Sequence, residues 1–232
     1  MTDVLLLHGA WCGSWCWDAV VEELARAGLR ATAPTLPTQD RAAGLEELVA
    51  AALAPVSEAP APLVVGHSLA GALLEPIARC RRTRGLVYVA AVIPCKGMSL
   101  REQWRAWPQM FVEGWSHGLS REHGGATRWT DLDAAADRLF GACPADRARE
   151  AARRLRPQTW AISDATFTGS LTTPCCYISP SGDRLLDPGW FRARARELLG
   201  VEAIEIDADH TPMLSRPREL AKLIAAAAGA TP

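Results

Sequence analysis

Leu63-Val64-Val65-Gly66-His67-Ser68-Leu69-Ala70-Gly71 is an apolar strand that breaks into a small-residue turn with a serine at its apex, and a helix-forming stretch follows to residue 80. The pattern is that of a nucleophile elbow. A serine exposed at so tight a strand-to-helix turn adopts a strained backbone, and the residues two positions to either side must be nearly free of side chain. Gly66 and Ala70 meet that demand, Ala70 standing where the commonest form, G-x-S-x-G, has its second glycine. A Gly-rich turn with a capping serine is the blander reading of the same letters. The strand before and the helix after favour the elbow.

Outward from this stretch, short apolar runs recur at 4–7, 31–33, 63–65, 86–92, 175–178 and 203–206. Segments of helical period lie between or after them, at 19–27 closed by Gly28, 45–53, 69–80, 190–199 closed by Gly200, and 218–228 opened by Ser215. Pro76 should kink or break the third of these. Strands alternating with helices indicate an α/β fold whose mostly parallel sheet carries helices on both faces. The rhythm fails between residues 94 and 173, too long a stretch for a simple connection. It holds Trp104, Trp107, Trp115, Trp129 and Trp160, with helical stretches near 132–140 and 145–155. The expected organisation is therefore a core of residues 1–94 and 174–232 with an inserted helical cap, 95–173, over the strand ends where ligands bind in such sheets. Most of the cap tryptophans are expected to form its own small core, with a minority, Trp104, Trp107 and Trp129 among the candidates, joining Trp11 at the substrate.

A serine hydroxyl is a weak nucleophile until a base takes its proton, and that base needs an orienting acid. With an elbow serine, the chain order is Ser, then Asp or Glu, then His. Ser68, Asp183 and His210 appear in this order, each just after a strand. Of the five histidines, His210 alone follows a candidate acid at a strand end. His67 diverges from its neighbour on the turn and reads as a structural partner, and His8 as a brace for its own loop. His117 and His123 read as surface residues. Asp183 is favoured over Asp187, which precedes Pro188-Gly189 and suits a helix N-terminus. Asp207 and Asp209 are too near His210 in the chain to orient it, though one could tune its loop. Backbone N–H groups should receive the developing oxyanion, one from Leu69 after the nucleophile and one from the His8-Gly9-Ala10-Trp11 loop, with Ala10 the choice.

Bulk composition agrees with an ordinary globular domain: 232 residues, 49% hydrophobic, 22% charged, net charge -1. A nucleic-acid partner is not indicated. The run Arg79 to Arg84 is short, and the five arginines between Arg147 and Arg156 alternate with alanines as on a solvated helix face. Met1-Thr2-Asp3 leads into a strand without a basic, apolar or cleavage-site pattern, so a cytoplasmic protein without a membrane segment is expected. The seven cysteines form neither a disulfide framework nor a metal spacing, Cys12-x-x-x-Cys16 included, and are read as buried free thiols. No cofactor or metal is called for, and oligomeric state is left open.

Taken together, the chain resembles the α/β-hydrolase superfamily and, within it, the small esterases that include plant methylesterases and hydroxynitrile lyases. The resemblance rests on the elbow, His8-Gly9-Ala10 with Trp15-Cys16-Trp17, Leu86-Val87-Tyr88-Val89-Ala90-Ala91 closing at Pro94, Leu155-Arg156-Pro157-Gln158, and His210-Thr211-Pro212-Met213-Leu214. It implies Ser68 as nucleophile, Asp183 as acid, His210 as base, and Ala10 and Leu69 as oxyanion donors. The lyases of this family carry a lysine directly after the catalytic histidine and tend to carry threonine after the first-strand histidine. Here Thr211 and Gly9 stand at those positions, so the expectation is a serine hydrolase of a small or medium carboxylic ester. The same triad acting on a thioester, a lactone or a carbon-carbon bond, and a non-catalytic ligand receptor, stay open as alternatives.

Overall fold

The structure, a computed structural model, describes residues 3–56, 61–169 and 172–229. In chain order it runs β1 (Asp3–Leu7), α1 (Asp18–Arg26), β2 (Arg30–Thr32), α2 (Leu45–Leu53), β3 (Leu63–His67), α3 (Gly71–Cys80) and β4 (Gly85–Val89). The insertion follows as α4 (Leu100–Ala106), the hairpin β5 (Leu119–Arg121) and β6 (Thr127–Trp129), α5 (Leu132–Phe140) and α6 (Ala145–Arg153). The chain then completes β7 (Cys175–Pro180), α7 (Pro188–Arg194), β8 (Ile204–Ile206), α8 (Pro212–Ser215) and α9 (Pro217–Ala227).

Six strands make one sheet in the order β2-β1-β3-β4-β7-β8, every neighbouring pair parallel. Their side chains alternate between two cores, as a period of two requires of a sheet covered on both faces. Val4, Leu6, Val65, Val87, Val89 and Ile178 pack with α1, α8 and α9, while Leu5, Leu7, Val64, Leu86, Tyr88 and Tyr177 pack with α2, α3 and α7. The chain leaves β1 for the first face and β3 for the second. These two strands are neighbours, so a crevice opens between their C-terminal ends, the place where ligands bind in open α/β sheets.

The insertion has no separate core. Trp129, Ala135, Leu139, Phe140, Ala148, Ala152 and Phe167 belong to the same buried cluster as Leu5 and Tyr88 of the sheet. In α6, Ala148, Ala151 and Ala152 turn inward while Arg147, Arg149 and Arg153 face solvent. The hairpin β5–β6 was not anticipated: Gly124-Gly125 is a turn signal, but the flanking Leu119-Ser120-Arg121 and Thr127-Arg128-Trp129 are too short and polar to read as strands. Both of those glycines have φ +85.

Two further departures have local causes. The run 86–92 pairs only to Val89, because Ala90 takes φ 44 and swings the chain toward the elbow, where Val92 N–H donates to the Ser68 carbonyl at 3.1 Å. Ser215 does not open the last helix: it ends α8 and donates its hydroxyl to Asp209, while Pro217 begins α9. Pro76 lies inside α3 without ending it.

Candidate active site

Ser68 follows β3 directly and has φ 52, and Trp11 after β1 and Ala90 after β4 share this left-handed region with φ 61 and 44. Each such non-glycine residue costs on the order of 1–3 kcal/mol and persists only where its surroundings over-determine it. All three stand at the C-terminal ends of adjacent strands. At Gly66 a Cβ would lie 2.8 Å from the Ala70 carbonyl oxygen, so the glycine is required by contact. Ala70 itself has φ -67, an ordinary helical value that tolerates a methyl group. The register pairs Leu7 with Gly66 and sets the 8–11 loop beside the elbow, so closely that a Cβ on Gly9 would meet Ser68 Cβ at 2.6 Å and His67 Nδ1 at 2.9 Å.

His210 Nε2 lies 3.1 Å from Ser68 Oγ and its Nδ1 lies 2.8 Å from Asp183 Oδ2, with all three side chains buried. A carboxylate only accepts, so Nδ1 carries the proton and Nε2 keeps its lone pair toward the serine hydroxyl. The other Asp183 oxygen accepts Leu185 N–H at 2.8 Å and Leu186 N–H at 3.0 Å, which locks the carboxylate in place. Asp187 caps α7 by accepting Trp190 N–H and takes no part. Asp209 is buried and ties the His210 loop together: one oxygen accepts Thr211 N–H and Ser215 Oγ–H, the other Ala142 N–H of the insertion. Asp207 is exposed beside Arg216.

His67 donates its Nε2–H to the His210 carbonyl at 2.8 Å, a brace behind the base. Burial, with the neighbouring His210 imidazole, holds it neutral by pushing its pKa well below the ordinary value. His8 is pushed down to about 4, chiefly by burial. Its Nε2 accepts Leu36 N–H at 3.0 Å, so Nδ1–H donates to the Gly9 carbonyl at 2.9 Å. The Gly9 carbonyl and the Ala10 N–H share one planar trans peptide and point in opposite directions, so the histidine that fixes the first also aims the second. Leu69 is the second residue of the helical stretch that begins at Ser68, where the first amides have no intrahelical acceptor. His117 and His123 are exposed.

A cavity of about 720 Å³ opens at Ser68, with Ala10 and Leu69 on its lining. Trp11, Trp104, Phe111, Trp115 and Trp160 supply its aromatic surface, and Leu185 and Leu186 bring the segment after Asp183 into it. Two of the expected pocket residues lie elsewhere. Trp129 is buried behind Trp11, ring centroids 5.6 Å apart, and Trp107 packs on Trp190 under the Arg194 guanidinium. Three of the insertion's five tryptophans, more than the expected minority, line the cavity. Phe111 and Trp115 stack at 4.6 Å within a run of turns, where no sequence period marks them. The cysteines are all free; Cys12, Cys16 and Cys95 are buried, but Cys80 is exposed, against the expectation of burial. Among the described residues, no helix is long and apolar enough to cross a membrane.

Residues 4–223 match the profile of the alpha/beta hydrolase family. Among curated relatives, the pyrethroid hydrolase of Sphingobium wenxiniae is 26% identical across 97% of this chain and 87% of its own length. The carbendazim hydrolyzing esterase of a Nocardioides species is 28% identical across 97% and 99%. The probable esterase PIR7A of Oryza sativa subsp. indica is 30% identical across 95% and 94%. Among solved structures, polyneuridine aldehyde esterase superposes with a TM-score of 0.85 at 18% identity, covering 97% of this chain and 98% of that one. A pyrethroid hydrolase from Sphingobium faniae gives 0.83 at 24% identity, covering 99% and 98%. At these identities the superpositions speak for a shared fold.

Proposed function

This chain belongs to the alpha/beta hydrolase family, and from that premise we propose that it is a serine hydrolase of carboxylic esters with Ser68 as nucleophile, His210 as base and Asp183 as orienting acid. The observation that carries the reading is the His210 ring held between Asp183 at 2.8 Å and Ser68 Oγ at 3.1 Å at the edge of a substrate-sized cavity. His210 takes the Ser68 proton as Oγ attacks the ester carbonyl, and the oxyanion forms beside the N–H groups of Ala10 and Leu69. The proton then passes from His210 to the leaving alcohol. Water enters, gives a proton to His210 and attacks the acyl-enzyme, and the carboxylic acid departs with Ser68 restored.

Residues 95–173 act as the cap that shapes the cavity. Its aromatic surface suits an ester with an aryl or bulky apolar portion, in keeping with relatives named as a pyrethroid hydrolase and a carbendazim hydrolyzing esterase. Ester hydrolysis is favoured over the lyase chemistry of the same fold by the residue after the base: Thr211 is buried and donates its hydroxyl to the Leu139 carbonyl at 2.7 Å, so no ammonium stands there to receive a departing anion. Free thiols at all seven cysteines fit work in the cytoplasm.

A panel of p-nitrophenyl and aryl esters, run with Ser68→Ala alongside, tests the proposal. Turnover in the variant should fall by at least about 10⁴-fold, the order seen when a triad member is removed. A fluorophosphonate probe should label the wild type and leave the variant unlabelled. Undiminished turnover in Ser68→Ala would remove Ser68 from the mechanism, and saturable ester binding without labelling of the wild type would favour a receptor.

A further inference from the structure

All three polar atoms of Trp11 are bonded to the cap. Its N–H donates to Gln158 Oε1 at 3.3 Å, its carbonyl accepts Arg156 N–H at 2.7 Å, and its indole N–H donates to Thr127 Oγ1 at 3.0 Å. The carbonyl of Cys12 accepts both Arg156 Nε at 3.1 Å and Nη2 at 2.8 Å. Two cap rings, Trp129 and Trp160, meet the Trp11 indole edge-on at 5.6 and 5.8 Å. The conformation gripped in this way, φ 61, is one that a bulky side chain avoids unless held. The holding side is stiff. Thr127 and Gln158 exchange two backbone hydrogen bonds of 2.9 Å each, and the buried Gln158 side chain donates its other end to the Thr159 carbonyl.

We propose that Gln158, with Thr127 and Arg156, is a positioning residue for the oxyanion site: it fixes Trp11 in its left-handed conformation and so, from the far side of Ala10, completes the hold that His8 has on the Gly9 carbonyl and keeps the Ala10 N–H aimed at the carbonyl that Ser68 attacks. The inference rests on the reading of Ala10 as an oxyanion donor. Gln158 is not among the residues lining the cavity and acts through Trp11. The cap is then part of the catalytic apparatus as well as a wall of the pocket, because the strand that carries the donor loop supplies none of the bonds that hold Trp11.

Gln158→Met keeps the shape of the side chain and removes the acceptor, whereas Gln158→Glu keeps an acceptor. Loss of one oxyanion donor lowers kcat by about 10²–10³-fold, and misaiming it should cost a part of that, about 10- to 100-fold. The expected result for Gln158→Met is a kcat lowered by this factor, KM within about threefold of wild type, and an unmoved acid limb in the pH profile of kcat/KM. An aryl trifluoromethyl ketone, which forms an oxyanion on the serine, should lose affinity by the same factor relative to its methyl ketone counterpart, and Gln158→Glu, which keeps the acceptor for Trp11 but loses the donor to the Thr159 carbonyl, should recover part of the loss. This ratio separates aim from general damage, since a purely structural role would move both ketones together. Should Gln158→Met not fold, Thr127→Val, which removes the acceptor shared by the Trp11 and Trp160 indole N–H groups, should lower the same ratio about 3- to 10-fold. An unchanged ratio in the folded variants overturns the inference. If Ser68→Ala is inactive while the ratio is unchanged, only the clamp fails; if Ser68→Ala retains turnover, the hydrolase reading fails first.

Discussion

Position 9 shows how little room the site leaves for a single carbon. A methyl group there would lie 2.6 Å from Ser68 Cβ and 2.9 Å from His67 Nδ1, both on buried and braced residues, so the loop or the elbow must shift. Gly9→Ala is expected to lower kcat/KM at least about 10²-fold, the order that a displacement of about 1 Å costs a positioned nucleophile. Steady-state kinetics with a p-nitrophenyl ester, on a variant shown to be folded by circular dichroism, decide it, and near-wild-type turnover would show that the gap opens at little cost. At this scale much was readable in advance: the order Ser68, Asp183, His210, each after a strand, is a linear pattern, and so is the small residue at 66. Choosing Asp183 over Asp187 took chain order, and the structure adds the reason. Both carboxylates accept backbone N–H groups two or three residues on, but only the second oxygen of Asp183 faces His210. Of the pocket tryptophans, Trp11 and Trp104 were named in advance, whereas Trp115 and Trp160 were not, because in an irregular segment no period tells which way a ring points.

Among the elements, the loop from β8 to α8 that carries His210 is held from the cap side by Asp209. This carboxylate accepts Thr211 N–H at 3.0 Å and Ser215 Oγ–H at 2.8 Å within the loop, and Ala142 N–H at 2.9 Å from the turn between α5 and α6. The nearby Cys143 thiol is pushed up to about 12, first by burial and then by this charge, and so stays protonated. Asp209→Ala leaves the buried Thr211 N–H and the partly buried Ala142 N–H and Ser215 hydroxyl without this acceptor and is expected to cost about 2–3 kcal/mol, as for hydrogen bonds to a charged group. Asp209→Asn should cost less, because its amide oxygen still serves the loop while its NH2 opposes Ala142. Urea unfolding of both variants checks this; equal stability of Asp209→Ala and wild type would contradict the latch. The sequence placed a carboxylate next to the base but held no sign of its partner, since Ala142 is 67 residues away and offers only its backbone.

For the molecule as a whole, two neutral buried histidines set a direction for acid stability. His8 is held at about 4 against an ordinary value of 6.5, and His67 is lowered in the same sense. Above pH 6.5 the folded and unfolded chains both carry neutral imidazoles and nothing is lost. Between pH 6.5 and 4 the unfolded chain binds protons that the folded protein refuses, so stability falls by roughly 1.4 kcal/mol per pH unit for His8, about 3 kcal/mol across the window, with His67 adding to it. Urea midpoints at pH 7.5, 6 and 5 should decline in that order, and a flat profile would mean that the two rings take up protons without unfolding. The exposed arginine–carboxylate pairs such as Arg196–Glu202 add little at any pH. What the sequence determined by itself is what local pattern can carry: apolar runs with turn residues between them fixed the alternation of strands and helices, and a small-residue elbow with Asp and His after later strands marked the chemistry. The cavity walls, the grip of Gln158 and Thr127 on Trp11, and the Asp209 latch arise only when the chain is packed. These contacts join residues 147, 116 and 67 positions apart along the chain, and their directions come from how the cap packs on the sheet, which periodicity and propensity, acting over a few residues, do not encode.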